Sequence, residues 1–201
     1  FLYNALFFMI YGFYVKKLLL KGFYFFSSSL YIYGILYSYS RATQLAFIAA
    51  VGLMAATRHR WVLILMIGAW ATMSLWVPAS VKDRWEMTEN EEGQLDASAQ
   101  SRKDFWALAT QLYLQNPVTG YGVGSFKVLN PARMDTHNLY YRTLAEGGTP
   151  GIVLLMAVWF TILYMGFQLW QRGPVGYDRH FGFAMIIITV ALMIANYFGD
   201  R

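Results

Sequence analysis

Charged residues divide this chain into six apolar runs, at 1–15, 22–40, 42–57, 61–81, 151–171 and 181–199. Most of them reach the roughly 17–25 residues that a helix needs to cross a hydrocarbon core of about 30 Å. The pattern predicts an all-α integral membrane protein with about six transmembrane helices. The run at 42–57 is short, and Arg41 and Arg58 at its ends are placed to snorkel to the two interfaces. One long connection separates the fourth run from the fifth. The expected organisation is therefore helices one to four in 1–81, a loop with short amphipathic helices in 82–150, and helices five and six in 151–201. No repeat or heptad interrupts this plan.

Composition sharpens the reading. Hydrophobic residues make up 57% of the chain, aromatic residues 18% and charged residues 13%, against about 25% charged in an ordinary soluble domain. Cysteine is absent, which excludes a disulfide framework, a thiolate metal site and a cysteine nucleophile. The formal charge of +5 is read by the side of the bilayer it occupies, and no nucleic-acid partner is expected. Phe1 stands inside an apolar run with no initiator Met and no cleavage pattern, so the chain reads as a fragment.

Orientation follows from the short connections. Lys16, Lys17 and Lys21 lie between runs one and two, Arg58 and Arg60 between three and four, and Arg172 and Arg179 between five and six, with Asp178 as their one acidic companion. The positive-inside rule assigns these connections to the cytoplasm. Arg41 and the long loop then fall on the opposite side, and alternation agrees with charge at every run.

Within the loop, 83–97 is polar and acidic, with Glu89, Glu91, Glu92 and Asp96, and reads as mobile. Ser101-Arg102-Lys103-Asp104 resembles a capping-box variant, predicting an amphipathic helix through Phe105, Trp106, Leu108, Ala109, Leu112 and Tyr113 that Asn116-Pro117 ends. Gly120-Tyr121-Gly122-Val123-Gly124-Ser125-Phe126 is a flexible turn in which Gly122 and Gly124 can bring backbone N–H groups to an anion, or form a tight loop and nothing more. It lacks the spacing and the terminal Gly-Lys-Ser/Thr of a Walker A loop.

The next stretch, Asp135-Thr136-His137-Asn138-Leu139-Tyr140-Tyr141-Arg142, predicts a helix capped by Asp135 or Thr136 and stopped by Gly147-Gly148 before Pro150. That places His137 in a first turn, where the positive end of the helix dipole disfavours the imidazolium and leaves a candidate general base. Asn138 orients His137 or caps the helix. Tyr140, Tyr141 and Arg142 are candidates to line an acceptor site, and Glu146 either neutralises an arginine or sits in solvent. Gln44, one turn below Arg41, either supports it or joins helices.

On the expected outer side Arg41 opens a helix, Arg102 opens another and His137 a third. Arginine presents a planar fork that binds phosphate through paired hydrogen bonds, and helix N-termini add to anion affinity. Two arginines and a neutral histidine suit a lipid diphosphate leaving group attacked by a hydroxyl.

Taken together, Ser40-Arg41, the acidic loop, Ser101-Arg102 with Trp106, Asn116-Pro117-Val118-Thr119-Gly120-Tyr121-Gly122-Val123-Gly124-Ser125-Phe126, His137-Asn138-Leu139-Tyr140 and Glu146-Gly147-Gly148-Thr149-Pro150-Gly151 resemble the bacterial O-antigen ligase superfamily. That group includes O-antigen polymerases and protein O-oligosaccharyltransferases, and the resemblance covers about residues 40 to 170, its C-terminal half. The acidic loop is most similar to that of O-glycosylation ligases associated with exosortase-type export. The resemblance implies metal-independent, inverting glycosyl transfer with no cofactor, at the periplasmic face of the bacterial inner membrane. The donor would be an undecaprenyl-diphosphate-linked glycan and the acceptor a hydroxyl on a glycan, lipid or protein. Arg41 and Arg102 would hold the diphosphate as its charge grows, His137 would take or position the acceptor proton, and Asn138, Tyr140, Arg142, Gly122 and Gly124 would contact substrate. Ala42 departs from the Gly that members often carry there, and since members usually have about twice as many spans, the resemblance implies an N-terminal half that this chain does not include.

A polysaccharide polymerase is the nearest alternative. A transporter subunit is more distant, since it calls for ionisable or broken positions deep within spans, whereas here the charges lie at span ends. A non-catalytic scaffold is the remaining alternative.

Overall fold

A computed structural model describes residues 1–72, 75, 77, 78, 80–82, 97–174 and 176–199. Glu89, Glu91, Glu92 and Asp96 of the acidic stretch lie outside the described residues, as do Asp200 and Arg201. Regular structure among the described residues is all helical: α1 (Leu2–Tyr14), α2 (Leu18–Leu36), α3 (Arg41–Thr57), α4 (Trp61–Ala71), α5 (Ala97–Gln115), α6 (Ser125–Leu129), α7 (Leu139–Arg172) and α8 (Tyr177–Phe198). Three of them, α2, α7 and α8, are long and apolar enough to cross a membrane, while α1, α3 and α4 are apolar but shorter. In the most apolar window of α7 only 6% of the residues are buried, so that surface needs lipid around it.

The chain divides into two compact units, Phe1–Trp85 with Ile162–Leu192, and Glu86–Thr161 with Met193–Arg201. In the first, α1 packs along α2. Ser28 Oγ donates to the Ala5 carbonyl at 2.9 Å, a buried polar link between apolar helices, and the Phe25 ring lies against Gly12. A turn containing Tyr39 at φ 51 leads into α3, whose first turn is capped by Ser40 Oγ accepting from Thr43 N–H at 3.4 Å. Arg41 is thus the first residue of α3, as the pattern predicts. Gln44 is buried and its Nε2 donates to the Leu36 carbonyl at 3.1 Å. It satisfies the C-terminal end of α2 and joins two helices.

In the same unit the end of α7 and the start of α8 cross with Gly166 against Gly182. A Cβ on Gly182 would stand 2.6 Å from the Gly166 carbonyl oxygen. Tyr14 stacks on His180, Phe13 stacks on His59, and the Arg58 guanidinium lies 5.8 Å from the Trp170 ring. The end of α1, the turn after α3, the end of α7 and the start of α8 therefore meet. The basic connections that follow them gather at one end of this unit, as alternation requires.

Candidate active site

In the second unit, α5 carries a buried row, Phe105, Ala109 and Leu112, which packs on Phe126 of α6 and Ala145 of α7. This cluster brings two glycine-rich segments together. Asn116 Nδ2 donates to the Gly120 carbonyl at 2.8 Å and Asn116 Oδ1 accepts from Thr119 Oγ1 at 2.9 Å, closing the turn after Pro117. The turn then clasps the end of the first part of α7. Tyr121 N–H donates to Ala145 O at 3.1 Å, Gly122 N–H to Glu146 O at 2.9 Å and Thr149 N–H to Pro117 O at 2.7 Å.

Two glycines make that approach possible. Gly120 has φ 60, and a Cβ there would collide with the Glu146 carbonyl. Gly148 has φ 60 and ψ −159, a region that essentially only glycine occupies, and breaks α7 before Pro150 as the Gly-Gly-x-Pro pattern predicts. Gly122 engages its N–H with Glu146 O and so does not offer it to an anion, and Gly124 precedes the first residue of α6. Both glycines therefore have structural tasks in the turn.

Glu146 is buried, accepts from Phe126 N–H at 3.3 Å, and stands 4.0 Å from Arg142 Nε one helical turn away. Of the two environments open to it from sequence, it takes the one beside an arginine. Arg142 thereby belongs to the support of the clasp as well as to the face expected to meet substrate.

The histidine expected in a first helical turn stands just before the helix instead. α7 begins at Leu139, and His137 has φ 53, a left-handed conformation that histidine adopts more readily than most side chains. The helix-dipole argument for His137, which required residence inside the turn, does not carry over. Thr136 and Asn138 impose this geometry. Both are fully buried; Thr136 Oγ1 accepts from Asn138 N–H at 3.1 Å and donates to Asn138 O at 2.7 Å.

Asn138 is the cap in place of Asp135 or Thr136. Its Oδ1 accepts from Tyr140 N–H at 2.9 Å and Tyr141 N–H at 3.2 Å, and its Nδ2 donates to the Tyr197 carbonyl at 2.7 Å. A fully buried amide engaged at both ends positions the loop and has no surface for substrate. Asn138→Ala should cost about 1–3 kcal/mol, through loss of the cap and an unpaired Tyr197 carbonyl. Asn138→Asp, which keeps the cap but sets a buried carboxylate oxygen against the Tyr197 carbonyl, should destabilise at least as much in thermal unfolding of the purified protein.

Arg102 also moves relative to expectation. α5 is helical from Ala97, so Ser101 and Arg102 lie in its second turn and the capping-box reading fails. Arg102 nevertheless shares a helix face with Trp106, four residues on. Trp106 Nε1 donates to the Thr136 carbonyl at 3.0 Å, and its ring stacks on Tyr141 with centroids 5.3 Å apart. That face of α5 is thereby held against the turn carrying His137. Arg41 belongs to the first unit.

Tyr140 donates its hydroxyl to Met193 O at 2.9 Å and, with Met156, Met193, Ile194, Tyr197 and Phe198, lines a shallow apolar groove of about 540 Å³. Tyr197 contributes both a carbonyl and a ring to this site. No sequence signal singles it out, because it is one aromatic among many in the last apolar run.

No curated protein and no solved structure matches the chain. A family model described as O-Antigen ligase matches residues 26–156. That span takes in Arg41, Arg102, the Asn116–Gly124 turn, the His137 loop and the Gly148 break, and by it the chain belongs to the O-antigen ligase family.

Proposed function

We propose that this chain transfers a preassembled glycan from an undecaprenyl-diphosphate carrier to an acceptor hydroxyl on a lipid or protein, at the periplasmic face of the bacterial inner membrane. The observation that carries the reading is the Trp106–Thr136 hydrogen bond, which fixes the Arg102 face of α5 against the His137 turn. On this reading the base and the anion-binding fork act from these two facing segments.

In the proposed reaction the acceptor oxygen attacks the anomeric carbon from the side opposite the leaving group, and the bond to the diphosphate oxygen breaks. His137 receives the hydroxyl proton. Arg102 stabilises the negative charge that grows on the departing diphosphate. The assignment of Arg41 to the same diphosphate rests on its motif alone. The apolar groove beside Tyr140 suits the first isoprene units of the carrier, since a methyl-branched run of hydrocarbon needs no polar partner.

His137→Asn gives the cleanest test, because asparagine tolerates the left-handed backbone and cannot act as the base. Supplied with a lipid-linked oligosaccharide and an acceptor, this variant should lose transfer by about 10²–10⁴-fold with unfolding unchanged. Activity within a factor of a few of the parent would defeat the assignment. A ladder of products in place of a single transfer would make the protein a polymerase, and activity lost to a chelator and restored by a divalent ion would place it in another transferase class.

A further inference from the structure

At the end of the first unit where the basic connections gather, four nitrogen-bearing side chains converge, and among the described residues no carboxylate stands within ion-pairing distance of them. Arg58 lies 5.8 Å from the Trp170 ring and its field reaches both His59 and His180. Arg179 also acts on His180, and its Nη2 donates to the Gly173 carbonyl at 3.3 Å. The imidazoles are held flat by aromatic neighbours: His180 against Tyr14 at 3.6 Å between centroids, and His59 against Phe13 at 4.5 Å.

Two polar atoms here are buried and unmet. His59 Nε2 and Arg179 Nε have no hydrogen-bond partner among the described residues. Burial, reinforced by Arg58, holds the His59 imidazole below the ordinary histidine range. Neither Arg58 nor Arg179 has a carboxylate within ion-pairing distance among the described residues, although Asp178 adjoins Arg179 in sequence. Buried N–H groups in native proteins almost always find an acceptor, and the unmet Arg179 Nε and His59 Nε2, beside two guanidinium groups with no ion-paired carboxylate among the described residues, suit an anion.

We propose that Arg58, Arg179, His59 and His180 bind a phosphate group, and that its occupant is the head group of an anionic phospholipid in the adjoining leaflet. The arginine forks and imidazole N–H groups match phosphate oxygens. The surroundings favour a lipid over a free ion. Trp61 packs edge-on to Phe13 and Trp170 lies under Arg58, and Trp is a residue type enriched at head-group depth; Leu18 and Leu19 are 82% and 91% exposed at the start of the neighbouring α2, and basic pockets between transmembrane helices take anionic head groups. This site is independent of the glycosyl transfer proposed above.

The test counts lipid retained by the full chain, using native mass spectrometry after reconstitution in phosphatidylcholine with phosphatidylglycerol. The parent should retain phosphatidylglycerol roughly tenfold over phosphatidylcholine. The pair Arg58→Gln with Arg179→Gln should abolish that preference, while Lys16→Gln with Lys17→Gln, which removes equal charge from the same end, should keep it. Retention is read against phosphatidylcholine within each variant, so a generally loosened protein loses both lipids and is not mistaken for a lost site; Arg58→Lys with Arg179→Lys, which keeps the charge, then serves in its place and should weaken the preference without abolishing it. Equal loss in both glutamine pairs, or no preference in the parent, would overturn the proposal. Inorganic phosphate that displaces phosphatidylglycerol and stabilises the protein equally well would overturn the lipid assignment.

Discussion

Gly148→Ala is expected to unfold the second unit's clasp, lowering stability by roughly 3–4 kcal/mol. At φ 60 and ψ −159 a non-glycine residue carries about 1–3 kcal/mol of backbone strain. Its Cβ would also stand 2.7 Å from Pro117 O and 2.8 Å from Val118 O. Neither oxygen can yield without disturbing the Thr149 N–H bond to Pro117 and the Gly122 N–H bond to Glu146, each contributing about 1 kcal/mol. Gly120→Ala should behave alike, since its Cβ meets the other side of the same junction. Gly122→Ala is the control: its φ is 93 but nothing lies within 4 Å of the added carbon, so only conformational strain of about 1–2 kcal/mol applies. Thermal unfolding of the purified protein compares the three, and a Gly148→Ala shift no larger than that of Gly122→Ala would show that the close approach is not what the glycine provides.

Arg102→Lys should lower glycan transfer by roughly 10–100-fold while leaving the fold intact. Lysine keeps the charge and has a comparable helix propensity, so α5 persists. What it lacks is the planar pair of donors that matches two phosphate oxygens at once. The loss should appear in kcat as well as in KM, because in the proposed mechanism the interaction strengthens as charge builds on the leaving group. Single-turnover transfer from a lipid-linked oligosaccharide measures this, and a lysine variant with near-normal turnover would remove Arg102 from diphosphate binding.

The apolar runs, the basic connections and the Gly-Gly-x-Pro break were legible because each depends on local chemistry. Boundaries drawn at charges were less accurate. Lys21 falls inside α2, which begins at Leu18, since a lysine stem can lie along an apolar helix without ending it. The same helix stops at Leu36, before the expected end at 40, where Ser38 Oγ bonds the Ile35 carbonyl and Tyr39 turns left-handed. In the site, the residue types were readable and their tasks were not. Asn138 was open between two roles until the carbonyl of Tyr197, 59 positions away, met its amide. Ser101 looked like a cap because nothing local reveals that α5 is already helical at Ala97. Glu146 depended on Phe126 and Arg142 coming together around it.

The bond from Asn138 to the last turn of α8 carries a mechanical consequence. One end of that amide fixes the backbone beside His137, and the other holds the last turn of a helix long and apolar enough to cross a membrane. A bilayer whose thickness tips that last turn should therefore strain the backbone beside His137.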